Sequence, residues 1–174
     1  MRTLILGGVR SGKSRLAERL ARDSGRPVTY VATATAGQDA ELAVRIEAHR
    51  SRRPSEWCTI EAPLGLAEVL RARDDQGCCL LVDCLTLWLT NLLCLNDAGR
   101  LEREREAFVE AVSALRGELL LVSNETGLGV VPLGALSRRF VDEAGTLHQR
   151  LAEHCERVLF CAAGLPLILK GTLV

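Results

Sequence analysis

The sequence predicts an α/β fold, a mostly parallel sheet with helices on both faces. Two observations carry that prediction. Apolar runs without in–out alternation recur at residues 3–6, 28–32, 78–83 and 118–123, and strands of that kind are buried on both sides. Segments with helical spacing separate these runs, which is the pattern of βαβ units. A length of 174 residues fits one domain spanning 1–174.

The elements follow in order. Residues 3–6 form a strand ending in glycines. Residues 14–23 carry Leu16, Ala17, Leu20 and Ala21 at helical spacing, with Gly25 to end the helix. Residues 28–32 are β-rich. Residues 39–50 read as an amphipathic helix with Leu42 and Ile46 on one face. A strand at 57–60, a helix at 65–73 and a buried strand at 78–83 come next. A helix at 86–95, a turn at 96–99 and a charged helix at 101–115 lead to the strand at 118–123. A glycine-bearing loop at 124–134 precedes a long helix at 136–155, with a break expected near Gly145. Strands at 157–162 and 167–170 close the chain.

Composition narrows the function. The 22 basic and 22 acidic residues cancel, so no overall charge points to nucleic acid or to an anionic membrane. Asp83 and Asn91 interrupt the most apolar stretch, residues 78–95, which argues against a membrane span. The seven cysteines have no Cys-x-x-Cys spacing and read as core thiols of a cytoplasmic protein. The short apolar run at the N-terminus does not read as a secretion signal.

The first strand leads into Gly7, Gly8, Val9, Arg10, Ser11, Gly12, Lys13 and Ser14. This is the Gly-x-x-x-x-Gly-Lys-Ser pattern of a P-loop, with a strand before it and a helix after it as the motif requires. The glycines let backbone amides turn toward phosphate oxygens, and the helix opening at Ser14 adds its positive dipole end. Lys13 supplies a mobile cation, and the Ser14 hydroxyl is placed to ligate Mg²⁺. The chain therefore reads as a P-loop NTPase. Asp83, at the tip of a buried strand, suits a carboxylate near that metal, or a cap for the following helix. No Asn-Lys-x-Asp motif is present to read guanine.

The helix at 39–50 ends in a basic cluster: Arg45, His49, Arg50, then Ser51, Arg52 and Arg53. Two readings of His49 stand: a packing or capping residue, or a nucleophile whose neutral imidazole attacks phosphorus. The arginines are either a solvated turn or phosphate ligands. His148 and His154 lie among charges on the late helix and read as surface residues. Glu125 and its glycine neighbours either line the site or make a turn.

Taken together, GGVRSGKS, YVATA at 30–34, RIEAHRSRRP at 45–54, the Trp57–Pro63 segment, LLVDCLTLWLTNLL at 80–93 and VSNETGLGVVP at 122–132 resemble one family nearly end to end. It is the bifunctional adenosylcobinamide kinase/adenosylcobinamide-phosphate guanylyltransferase family. The resemblance implies that a nucleoside triphosphate, ATP or GTP, phosphorylates the aminopropanol hydroxyl of adenosylcobinamide. GTP then donates GMP to adenosylcobinamide phosphate, releasing pyrophosphate and giving adenosylcobinamide-GDP. It implies that His49 carries GMP covalently and that Lys13 assists. It extends nucleotide contact to the loop residues 7–14, to Thr33, Ala34 and Thr35, to Arg50, Ser51, Arg52 and Arg53, and to Glu61 and Asp83. It also implies a recombinase-like sheet and a homotrimer. Some relatives have Glu where this chain has Asp83. Two other readings compete: a P-loop small-molecule kinase without guanylyl transfer, and a regulatory or DNA-handling ATPase.

Overall fold

A computed structural model describes residues 1–34, 53–75 and 77–172. The expected helix at 39–50 therefore lies outside the described residues, as do Thr35, His49, Arg50, Ser51 and Arg52. Seven strands form one sheet: β1 (Arg2–Gly7), β2 (Val28–Ala32), β3 (Cys58–Glu61), β4 (Cys79–Asp83), β5 (Glu118–Asn124), β6 (Arg157–Ala162) and β7 (Leu165–Lys170). Their order is β3-β2-β4-β5-β1-β6-β7. Every pairing is parallel except β6 with β7, which run antiparallel across a tight turn.

Five described helices cover the sheet: α1 (Lys13–Asp23), α2 (Leu66–Ala72), α3 (Leu85–Cys94), α4 (Ala98–Ala114) and α5 (Ala135–His154). The pleat sorts each central strand between two cores. Leu4 and Leu6, Leu80 and Val82, and Leu119 and Leu121 face one side with α2 to α5. Ile5, Leu81, Leu120 and Val122 face the other side with Leu16, Ala17 and Ala21 of α1. Burial on both faces is why these strands read as unbroken apolar runs.

The larger core centres on Trp88, fully buried, whose ring lies 5.0 Å from that of Phe108. Its indole N–H donates to the Leu64 carbonyl at 2.9 Å, so the polar end of the ring is satisfied. Asp97 caps α4 by accepting from the Arg100 N–H. That cap starts the helix at Ala98, inside the expected turn. Helix α5 runs unbroken through Gly145, against expectation. Its apolar face at Ala144, Leu147 and Leu151 outweighs the cost of about 1 kcal/mol for one interior glycine.

The connection leaving β1 runs toward β2, and the one leaving β5 runs toward β6, on opposite sides of this adjacent pair. In such sheets the crevice lies beyond the carboxyl ends of the diverging strands. The glycine loop and the loop after β5 meet there.

Candidate functional site

The glycine loop leaves β1 at Gly7 and enters α1 at Lys13. Its shape depends on the absence of side chains. A Cβ on Gly7 would stand 2.5 Å from the Cys161 carbonyl and 2.6 Å from the Ser11 hydroxyl. Gly12 has φ +97°, and a Cβ there would stand 2.9 Å from the backbone of Gly164. The β6–β7 turn thus presses on the loop, and the Gly164 N–H donates to the Ser11 carbonyl at 2.9 Å. Arg10 adopts φ 57°. Val9 and Arg10 are exposed at the tip, while Ser11 and Lys13 are buried. The Ser11 hydroxyl has no hydrogen-bond partner, an orphaned polar atom in a loop suited to phosphate.

Lys13 folds over this loop, its ammonium donating to the Gly8 carbonyl at 3.0 Å. Burial pushes its pKa below the ordinary value, and the nearby Asp83 carboxylate opposes that shift. Asp83, half-buried at the end of β4, accepts a 3.0 Å hydrogen bond from the Tyr30 hydroxyl on one oxygen. Arg53 lies over the Tyr30 ring with its guanidinium carbon 3.5 Å from the centroid, a cation–π contact. Its Nε is buried without a partner.

Thr33 fixes the next edge. Its hydroxyl donates to the Cys84 carbonyl at 2.7 Å and accepts the Cys84 N–H at 2.9 Å, holding the chain beyond Asp83, whose peptide with Cys84 is cis. Asn91 reaches across from α3 to the carbonyls of Thr33 and Pro63. Ala34 is half-buried beside Thr33. Glu61, exposed, ends β3 opposite Ala32. The structure thus gathers Gly7, Gly8, Ser11, Gly12, Lys13, Ser14, Thr33, Arg53 and Asp83 along one edge of the sheet.

Ser14 and Asp83 offer a hydroxyl and a carboxylate. Both are hard oxygen donors that suit Mg²⁺ held jointly with substrate phosphates.

Reading the sequence missed His148. It is buried, not a surface residue. It shares the apolar face of α5 with Ala144, Leu147 and Leu151, and that spacing was the available signal. Its Nε2 lies 2.8 Å from the Ser123 hydroxyl, and its Nδ1 lies 3.7 Å from the Glu125 carboxylate. Burial pushes its pKa down, partly offset by Glu125. His154, the last residue of α5, is half-buried. Four cysteines are buried and none is in a disulfide. Burial pushes the Cys79 and Cys155 thiols up to about 12, so both are inert core groups.

A family model described as cobinamide kinase / cobinamide phosphate guanyltransferase matches residues 3–169. The chain belongs to that family. It is a bifunctional enzyme, a cobinamide kinase and cobinamide phosphate guanyltransferase that uses nucleoside triphosphates. A bifunctional adenosylcobalamin biosynthesis protein of Pseudomonas aeruginosa is 66% identical over 171 residues, covering 98% of each chain. The protein of the same description from Escherichia coli is 35% identical over 183 residues, covering 98% of this chain and 100% of its own. The RadB recombinase structure superposes with a TM-score of 0.52 at 19% identity, over 91% of this chain and 72% of its own. That likeness supports the recombinase-like form of the sheet. No helix among the described residues is long and apolar enough to cross a membrane.

Proposed function

We propose that this single domain runs both family reactions at one nucleotide site, in adenosylcobalamin biosynthesis, with His49 as the covalent GMP carrier. The observation that carries the reading is the cluster of Lys13, Asp83, Tyr30 and Arg53 at the mouth of the glycine loop. Arg53 is four residues along the chain from His49, a separation that extended backbone spans in about 14 Å. Its unpartnered Nε suits a phosphate or carboxylate oxygen.

In the kinase step the acceptor hydroxyl of adenosylcobinamide attacks the γ-phosphorus of ATP or GTP. The loop amides and Lys13 hold the phosphates, so the protein mainly positions and neutralises. In the transfer step the His49 imidazole attacks the α-phosphorus of GTP, and pyrophosphate leaves. Adenosylcobinamide phosphate then takes GMP from the histidine. The covalent intermediate divides one difficult displacement into two easier ones. Arg50, Ser51, Arg52 and Arg53 hold phosphate oxygens during the exchange, while Thr33, Ala34, Thr35 and Glu61 line the nucleoside side. Ser14 and Asp83 would hold Mg²⁺, which when bound screens phosphate charge.

A cytoplasmic homotrimer completes the reading. The free cysteines fit a reducing compartment. Exposed Leu128, Val130, Val131 and Leu133 beyond β5, with Leu165 and Leu167 on β7, give an assembly apolar surface to bury.

The test is to assay both reactions on purified Lys13→Ala and His49→Ala proteins. Lys13→Ala is expected to lower both. His49→Ala is expected to abolish GMP transfer while phosphorylation of adenosylcobinamide continues. Unchanged GMP transfer in His49→Ala would leave a plain P-loop kinase site with a separate transfer route.

A further inference from the structure

A chain of polar groups links the first turn of α3, the end of β5 and α5. The Asn124 N–H donates to the Thr86 hydroxyl oxygen at 2.8 Å. Thr86, with that lone pair engaged, faces the Ser123 hydroxyl at 3.4 Å. Ser123 in turn faces His148 Nε2 at 2.8 Å. The Glu125 carboxylate 3.7 Å from Nδ1 favours the neutral tautomer protonated on that nitrogen, so Nε2 accepts from the Ser123 hydroxyl. The ring proton of the neutral imidazole then sits on Nδ1. Nδ1 is buried without a hydrogen-bond partner and points at the Glu125 carboxylate, 3.7 Å away. His148 is 7% exposed, so its donor can serve nothing in bulk solvent.

Glu125 stands where such an orienter has a purpose. Its own N–H donates to the Gly7 carbonyl at 3.0 Å, which binds it to the first residue of the glycine loop. It opens the loop after β5, beside the crevice between β1 and β5, and keeps partial exposure. Asp83 is differently engaged: one oxygen accepts from Tyr30, and the carboxylate faces Lys13. Glu125 accepts the Gly127 N–H on Oε1, which leaves Oε2, the oxygen beside His148 Nδ1, as the carboxylate oxygen not already committed to Tyr30, Lys13 or the loop backbone.

We propose that Glu125 is the group that receives the acceptor's hydroxyl proton in the kinase step, and that His148 is the positioning residue that aims it. This rests on the kinase reaction described above. As the acceptor oxygen bonds to the γ-phosphorus, its proton passes to a Glu125 carboxylate oxygen. The bond from that phosphorus to the bridging oxygen breaks, and its electron pair leaves on the nucleoside diphosphate. Glu125 returns the proton to solvent after release. Guanylyl transfer onto an ionised phosphate needs no such base.

The test is steady-state phosphorylation of adenosylcobinamide by ATP, with guanylyl transfer measured on the same preparations. Glu125→Gln, close in shape, is expected to lower kcat about 10²- to 10⁴-fold, with KM for ATP within about threefold. Asn at 148 places its amide near the position of Nδ1, whereas Gln reaches the position of Nε2. His148→Asn should therefore retain more kinase turnover than His148→Gln, although Gln matches the buried volume better. Glu125→Gln with wild-type kcat overturns the proposal. So does a parallel loss of guanylyl transfer, and so does a His148→Gln protein as active as His148→Asn. A wild-type protein that transfers GMP but phosphorylates no cobinamide removes the kinase reaction itself, a result distinct from all of these.

Discussion

The Arg53 guanidinium lies 3.5 Å over the Tyr30 ring while the Tyr30 hydroxyl holds Asp83 at 3.0 Å. One aromatic side chain therefore spaces a cation and a carboxylate that the sequence separates by 30 positions. Tyr30→Phe keeps the ring beneath Arg53 and removes the hydroxyl. It should cost about 1 kcal/mol of stability, the net worth of a typical hydrogen bond. Tyr30→Leu also removes the cation–π contact, worth about 0.5–2 kcal/mol, and should weaken GTP binding further. Titration calorimetry and thermal melts on the two variants check this; equal GTP affinities would detach Arg53 from the nucleotide.

The loop's backbone is predicted to tolerate no side chain at Gly12. Its φ is +97°, and an added Cβ would meet the Gly164 backbone at 2.9 Å, a clash that no rotamer change relieves. Gly12→Ala should lose about 1–3 kcal/mol and most nucleotide affinity. Chemical denaturation with and without GTP measures both losses. A Gly12→Ala protein of wild-type stability would mean that the turn at Gly164 yields.

Buried His148 makes a signed prediction about pH. Burial lowers its folded pKa, with Glu125 opposing, whereas the unfolded value is about 6.5. As pH falls below about 6.5 the unfolded chain takes the proton first, so stability drops until the folded pKa is passed. His148→Gln lacks this contribution and should show a smaller fall in Tm between pH 7.5 and 5.5. Identical slopes for the two proteins would show that His148 does not titrate differently in the folded state.

Glu156 behaves in the opposite range. Burial raises its pKa, but hydrogen bonds from the Arg2 side chain and backbone win and hold the carboxyl at about 2. The contribution is full above about pH 4.5, the ordinary carboxyl range, and is lost as pH falls through about 2. The Glu156 side chain is about half exposed, so Glu156→Gln should cost only about 1 kcal/mol at pH 7. Acid unfolding curves should then converge for the two proteins below pH 2.

Much of this was legible in the sequence because the signals were local. The strands at β1, β2, β4 and β5 announced themselves as unbroken apolar runs, and the glycine loop by its spacing. What was not legible depends on tertiary contact. Tyr30 reads as a strand residue, and nothing nearby says that its hydroxyl meets Asp83. His148 was expected at the surface because charges surround it in sequence, yet its helical phase with Leu147 and Leu151 buries it. The helix break expected near Gly145 fails because packing on one face of α5 exceeds the cost of a glycine.

Covalent GMP transfer through His49 distinguishes a guanylyl carrier from a plain P-loop kinase. Intact-protein mass after incubation with GTP and Mg²⁺, for wild type and His49→Ala, tests it most directly. An acid-labile adduct of one GMP on wild type alone is the predicted result. An unmodified wild-type protein that demonstrably binds GTP, or an equal adduct on His49→Ala, would contradict it.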